Sequence, residues 1–220
     1  MNIIIAGGGK IGYYLVKTLL ENRHRPVIIE KDPEVSRFIA NETDIPVIKG
    51  DATRFETLSA AEAEEADVFV SVTGNDESNL IACQLAKNVF NVKKTIAKSN
   101  NPMNVPIMTA LGIDHVINST DSIASLVERE MDTSHIKQLL EINHGDGMLF
   151  EVTCPNDYVY DGKKLMDLRL PDNLNIVSVT RGGRLIIPRG GTTLKSGDKL
   201  LVISDSDAEK EIKSVLKIKR

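Results

Sequence analysis

Gly7-x-Gly9-x-x-Gly12, followed further on by Glu30, is a set of residue types and spacings suited to holding a phosphate and a ribose. The first glycine of such a series allows a tight turn. The second has no Cβ to keep a phosphate off the backbone, and the third lets a helix pack hard on a strand. A helix starting there offers unpaired N–H groups and a partial positive charge to a pyrophosphate. A carboxylate roughly 20 residues beyond the glycines takes the ribose hydroxyls, and Glu30 stands near that position. Lys10 lies inside the glycine loop, where a cation opposes the helix dipole. It is either a solvated lysine or a cation reaching the β- or γ-phosphate of a nucleotide, which would bring ATP or ADP alongside NAD as candidate ligands.

These residues need a scaffold, and the alternation of apolar runs with helical patterns supplies one. Ile3-Ile4-Ile5 precedes the glycines, a helical pattern follows them, and a second apolar run ends in Glu30. Pro46–Lys49 leads into Gly50-Asp51 and a short acidic helix through Glu56, Leu58 and Ala61. Asp67–Val72 reads as a fourth strand ending in Thr73-Gly74-Asn75-Asp76, and Glu77–Val89 as a helix. Thr95–Lys98 is a fifth strand, Pro102 starts a helix running to Leu111, and His115–Ile117 is a sixth strand. This order predicts an α/β fold, a Rossmann-type doubly wound parallel sheet with its ligand at the carboxyl ends of the strands. Glu30, Asp51, Thr73-Gly74-Asn75 and Lys98 each follow a strand directly. Singly such residues are turn and cap formers; together, on the edge that carries the glycine loop, they predict a ligand rim.

Asp121–Met131 is amphipathic, with Ile123, Leu126, Val127 and Met131 on one face. It is either a dimer arm or a cover for the sheet edge. The domain boundary is placed near Asp132, giving domains 1–131 and 132–220. Beyond it, Gly145-Asp146-Gly147 marks a break, and Met148–Thr153 and Asn175–Thr180 alternate like strands. Arg181-Gly182-Gly183-Arg184 is a hairpin turn into Leu185–Pro188, Lys199–Ile203 is a further apolar run, and Asp207–Leu216 a final helix. The second domain is therefore a smaller α+β unit with no glycine fingerprint of its own.

Composition is that of an ordinary soluble globular chain: 220 residues, 41% hydrophobic and 26% charged, enough for two modest cores. No apolar run reaches a membrane span, and the N-terminus enters a strand with no export signal, so the chain is expected to stay in the cytoplasm. Net charge is −4 with scattered cations, which argues against nucleic acid as a partner. Cys83 and Cys154 lack metal or redox spacing and are expected to be buried, reduced thiols. His24, His115, His135 and His144 form no metal motif, so no metal is assigned. Asp32, Glu34, Asp76 and Glu77 read as solvated helix-start acids rather than a catalytic pair. GGGK continues into Ile11, so it is no Walker A loop, and there is no nucleophile elbow. No catalytic residue is assigned. A nucleotide site without visible chemistry suggests a sensor; the alternatives are a small NAD-dependent oxidoreductase and a nucleotide-sensing repressor, the latter lacking a helix-turn-helix with a basic face.

The series IIIAGGGKIGYYLVKTL, VIIEKDPE, IKGDAT, VSVTGNDESNL, IAKSNNP and LGIDHVI resembles the TrkA family, regulators of bacterial and archaeal potassium transport. The stretch from MLFEVTCPNDYVYDGKKLMDLRLPDNLNIVSVTRGG to LKSGDKLLVI resembles that family's C-terminal module. The resemblance implies an RCK (regulator of potassium conductance) architecture. Its Rossmann domain would bind NAD(H), ATP or ADP, and its C-terminal domain would dimerise and in some members take a cyclic dinucleotide. It also implies a homo-oligomer, dimers building a tetrameric or octameric ring on the cytoplasmic face of a membrane-embedded potassium channel or transporter. Carried over by motif, Gly7, Gly8, Gly9, Lys10 and Ile11 would contact phosphates and Glu30 the adenosine ribose. Asp51 would sit near the adenine, Thr73 and Gly74 at the middle of the nucleotide, and Lys98 where relatives often have Arg or Lys. Glu30 replaces the commoner Asp and still disfavours a 2′-phosphate, so NADP is not expected. Asn118-Ser119-Thr120-Asp121 stands where some relatives bind a divalent cation, and Asp121 is left unassigned.

Overall fold

A computed structural model describes residues 1–131, 135–142, 146–205 and 209–218. The chain divides into two compact units, Met1–Ala124 and Ser125–Arg220.

The first unit alternates strand and helix as the periodicity requires: β1 (Asn2–Ala6), α1 (Lys10–Glu21), β2 (Arg25–Glu30), α2 (Pro33–Glu42), β3 (Val47–Lys49) and α3 (Phe55–Ala60). β4 (Val68–Ser71), α4 (Asp76–Asn88), β5 (Lys94–Ser99), α5 (Asn104–Ala110) and β6 (His115–Asn118) complete its alternation, and α6 (Ser119–Met131) starts in this unit and runs on into the second. The sheet is parallel, in the order β3-β2-β1-β4-β5-β6. Alternation along β1 splits its side chains between two cores. Ile3 and Ile5 pack with Val16 of α1 and Ile39 of α2, whereas Ile4 and Ala6 join Leu58, Phe69, Ala82, Ala86 and Met108 on the other face. Burial on both faces explains why these strands read as unbroken apolar runs. The strand order reverses between β1 and β4, so the loops that follow these two strands diverge and leave a crevice at the carboxyl edge.

α5 begins at Asn104 rather than at the expected Pro102; Pro102 and Met103 form a turn held by the Asn101 carboxamide, which accepts the Met103 N–H at 3.1 Å. Asp32 caps α2 as expected of a helix-start acid, accepting from the N–H groups of Glu34 and Val35. On α6, Ile123, Leu126, Val127 and Met131 are all exposed. No helix among the described residues is long and apolar enough to cross a membrane.

The second unit contains β7 (Ile136–Ile142), β8 (Gly147–Thr153), β9 (Leu174–Arg181), β10 (Arg184–Ile186), β11 (Lys199–Ser204) and α7 (Glu209–Val215). Its strands form an antiparallel sheet ordered β10-β9-β11-β8-β7. Phe150, Val152, Ile176, Val179, Leu200 and Val202 build its core with Ile212 of α7. β7 has no counterpart in the sequence reading, for a physical reason. Its pairing with β8 shifts register between Gln138 and Leu140, so the apolar residues fall out of two-residue alternation. The expected boundary at Asp132, the Gly145 of the expected break, His144 and the Asp207 helix start lie outside the described residues.

Candidate functional site

The glycine loop is built by contact as much as by conformation. Gly7 has φ +106°, and its N–H donates to the Ile29 carbonyl at 2.9 Å, tying the loop to β2. A Cβ on Gly12 would overlap the Gly7 carbonyl oxygen, so α1 rides directly on the loop that precedes it. Gly9 differs: a Cβ there would meet nothing within 4 Å, and its φ of −60° suits any residue. Its missing side chain serves no packing purpose in the chain itself; it leaves the approach to the backbone open. Gly9 also caps α1 without a side-chain acceptor, and the helix has no acid in its first turn. The first N–H groups of α1 are thus offered outward with the positive end of the helix dipole.

Glu30 ends β2 and reaches back to the loop. One carboxylate oxygen accepts the Gly8 N–H at 2.5 Å and the other accepts the Asp32 N–H at 2.8 Å. Each oxygen keeps a second lone pair for a hydroxyl. Asp51 accepts from the Thr53 N–H (2.9 Å) and hydroxyl (2.7 Å), and these bonds hold its carboxyl below the usual range, as an anion at neutral pH.

These elements surround a cleft of about 330 Å³. Of the expected residues it brings together Gly7, Gly9, Glu30, Asp51, Thr73, Gly74 and Asn75. Lys31, Thr53 and Ser78 also line it, and sequence reasoning did not single them out. Lys31 and Thr53 follow Glu30 and Asp51 on the same turns; that adjacency was the available signal. Asn75 has its carboxamide oxygen committed to capping α4, where it accepts the Ser78 N–H at 2.8 Å.

Gly8, Lys10, Ile11, Gly12 and Lys98 are not among the residues lining the cleft. Ile11 and Lys98 instead line an apolar groove with Leu15, Val70, Ile96 and Ile117. Strand alternation is the reason for Lys98: Thr95, Ala97 and Ser99 of β5 are buried on one side, which turns Ile96 and Lys98 to the other. Its backbone, not its ammonium, serves the carboxyl edge, where the Lys98 carbonyl accepts from Asn79 at 2.8 Å. Lys10 is exposed.

Asp76 requires a correction. It is not a solvated helix-start acid: it is only 8% exposed and accepts hydrogen bonds from Ser99, Asn100, Asn101 and Asn104. Burial by itself would raise its pKa, but the bonds from Asn100, Asn104, Asn101 and Ser99 outweigh it and hold the carboxyl down at about 2. Cys83 and Cys154 are buried as expected, and burial pushes both thiols up to about 12. Among the described residues no group of three or more His, Cys, Asp or Glu side chains could hold a metal.

The parallel sheet, the glycine turn over an uncapped helix and the acid at the end of β2 define a Rossmann-type α/β domain, here joined to a smaller antiparallel unit. The chain belongs to the TrkA family: it matches the TrkA-N domain over residues 3–119 and the TrkA-C domain over residues 149–217. It is 34% identical to the "Trk system potassium uptake protein TrkA homolog" of Methanothermobacter thermautotrophicus, covering 96% of this chain and 97% of that one. It is 32% identical to the "Trk system potassium uptake protein TrkA" of Mycobacterium tuberculosis, covering 98% of each. In fold it is similar to the GsuK channel bound to NAD, with a TM-score of 0.71 at 17% identity, covering 98% of this chain but only 39% of the channel. A GsuK structure bound to ADP aligns with 60% of this chain at a TM-score of 0.52 and 23% identity, covering 34% of that structure.

Proposed function

We propose that this chain is a regulatory subunit of a potassium uptake system, one that binds an adenine nucleotide in the cleft and does no chemistry on it. The observation that carries the reading is the cleft itself, where the open backbone at Gly9, the uncapped start of α1 and the Glu30 carboxylate converge. An uncapped helix start suits phosphates and a carboxylate suits ribose hydroxyls, which favours NAD(H), ATP or ADP over NADP. The names of the relatives support potassium uptake as the setting, and the NAD- and ADP-bound neighbours support the ligand class. The cleft lining holds no His, Cys or Tyr, and its titratable residues are Glu30, Lys31 and Asp51, with Glu30 and Asp51 already accepting from backbone N–H groups.

The partner in this reading is a membrane-embedded potassium transporter or channel, with the chain on its cytoplasmic face. Assembly into a homo-oligomeric ring is supported by the exposed apolar stripe of α6. Regulation needs only that two ring conformations bind nucleotide unequally. A tenfold preference per site supplies about 1.4 kcal/mol, and eight sites acting together about 11. Calorimetry with NAD, NADH, ATP, ADP and a cyclic dinucleotide, on the intact chain and on Glu30→Ala, tests the site. Binding of an adenine nucleotide that weakens about tenfold or more in the variant supports it; no binding, or unchanged affinity in a folded variant, removes it. A cyclic dinucleotide signal that survives Glu30→Ala would place a second ligand outside this cleft.

A further inference from the structure

Two buried polar side chains lie behind the cleft, and nucleotide binding as described above does not use them. Asn79 is fully buried; its carboxamide oxygen accepts from the Ser71 hydroxyl (2.9 Å), the Thr73 N–H (2.9 Å) and the Thr73 hydroxyl (2.6 Å). Its amide nitrogen donates to the Lys98 carbonyl at 2.8 Å. Asp76 accepts from the Asn100 N–H (2.8 Å) and carboxamide (2.9 Å) on one oxygen. On the other it accepts from the Ser99 hydroxyl (3.0 Å), the Asn101 N–H (3.1 Å) and the Asn104 carboxamide (2.9 Å). The Asn100 carboxamide also donates to the Gly74 carbonyl at 3.1 Å.

Local demand does not account for this arrangement. The start of α4 is already capped by Asn75, so Asp76 is not needed there. Burying a carboxylate costs several kcal/mol unless donors surround it, and the donors to Asp76 come from Ser99 at the end of β5 and from Asn100, Asn101 and Asn104 in the segment that follows. The charge therefore ties two loops together. One of them, Thr73-Gly74-Asn75, lines the cleft, whereas Asn100, Asn101 and Asn104 do not. A fully satisfied buried network of this kind fixes one geometry, and both loops share it.

We propose that Asp76 and Asn79 are positioning residues of the nucleotide site. They hold the Thr73–Asn75 loop in place and couple it to the segment Asn100–Asn104 at the start of α5. The inference rests on the reading of the cleft as a nucleotide site. Coupling is reciprocal: a ligand that orders the first loop must also order the second, and loosening the second must weaken the ligand. Met103, in the turn before α5, and Ile107 on α5 are exposed, so in this proposal occupancy of the cleft reaches a surface outside it.

The test combines NADH and ADP calorimetry with amide hydrogen exchange on the intact chain, on Asn104→Ala and on Asp76→Asn, each first shown to be folded by thermal melting. In the parent chain either nucleotide slows exchange at residues 72–75 and also at 99–104. Asn104→Ala, at a residue that does not line the cleft, lowers affinity about fivefold, the weight of one hydrogen bond. In Asp76→Asn nucleotide protects 72–75 without protecting 99–104. If the parent chain binds but both variants keep its affinity, or its protection is confined to 72–75, the coupling is refuted while the site stands. If the parent chain binds neither nucleotide, the site and the coupling fall together.

Discussion

The Asp76 carboxylate makes a quantitative prediction about acid stability. Its pKa falls from an ordinary 3.8 to about 2, with burial opposing the shift and the four donor residues prevailing. That gap corresponds to about 2 kcal/mol of stabilisation of the folded chain. Because the folded value lies below the unfolded one, the contribution is complete above about pH 4 to 5 and is lost as pH falls through about 2. Roughly half of it remains at pH 3. The groups that bond to Asp76, the side chains of Ser99, Asn100 and Asn104 and the backbone N–H groups of Asn100 and Asn101, are uncharged, so none of them titrates across this window. In Asp76→Asn an amide N–H group faces donors in place of one carboxylate oxygen, which adds a penalty of about 1–3 kcal/mol that does not vary with pH. Urea unfolding of both proteins, followed by circular dichroism from pH 3 to 7, reads the difference. The variant should be less stable by about 3 kcal/mol or more near pH 6, and the gap should narrow by about 1 kcal/mol at pH 3. A gap that stays constant across this range would mean that Asp76 titrates like a solvated carboxylate, and the structural account would be wrong.

The two glycines at the start of α1 should respond in opposite ways to alanine. Gly9→Ala should melt with the parent chain but bind NADH at least about tenfold more weakly in calorimetry, because its methyl occupies the open approach to the backbone. Gly12→Ala should lose about 1–3 kcal/mol of stability in urea titration, since its methyl meets the Gly7 carbonyl. In the second unit, the fully buried Asp198 is held by Arg181 through two bonds of 2.7 Å. Arg181→Ala should therefore cost about 3 kcal/mol in urea unfolding, and Arg181→Lys should recover only part of it for want of the two-pronged geometry. Cys83 and Cys154, with thiols pushed up to about 12 by burial, should resist a thiol reagent at pH 8 in the folded chain and react after unfolding, as mass spectrometry would show.

The residues that carried the fold were legible because their work is local. A glycine series after an apolar run, a helical pattern and an acid at the next strand end depend on backbone conformation and periodicity within about thirty residues. From these the parallel sheet, the glycine turn and the positions of Glu30 and Thr73-Gly74 followed without any knowledge of strand order. Lys98 and Asp76 were not legible in the same way. Both sit at strand or helix ends that look alike in sequence. Which face of β5 is covered by α4, and what arrives opposite Asp76, depends on β5 lying beside β4. Only that neighbourhood sends Lys98 into the groove and surrounds Asp76 with the asparagines of the next loop. β7 was hidden for a related reason, because a register shift against β8 breaks the alternation that a single strand would otherwise display. The sequence by itself settled the family and the chemistry on offer at the carboxyl edge of the sheet. The tertiary structure alone decided which polar residues face the cleft and which brace it, because burial and hydrogen bonding are properties of neighbours distant in the chain.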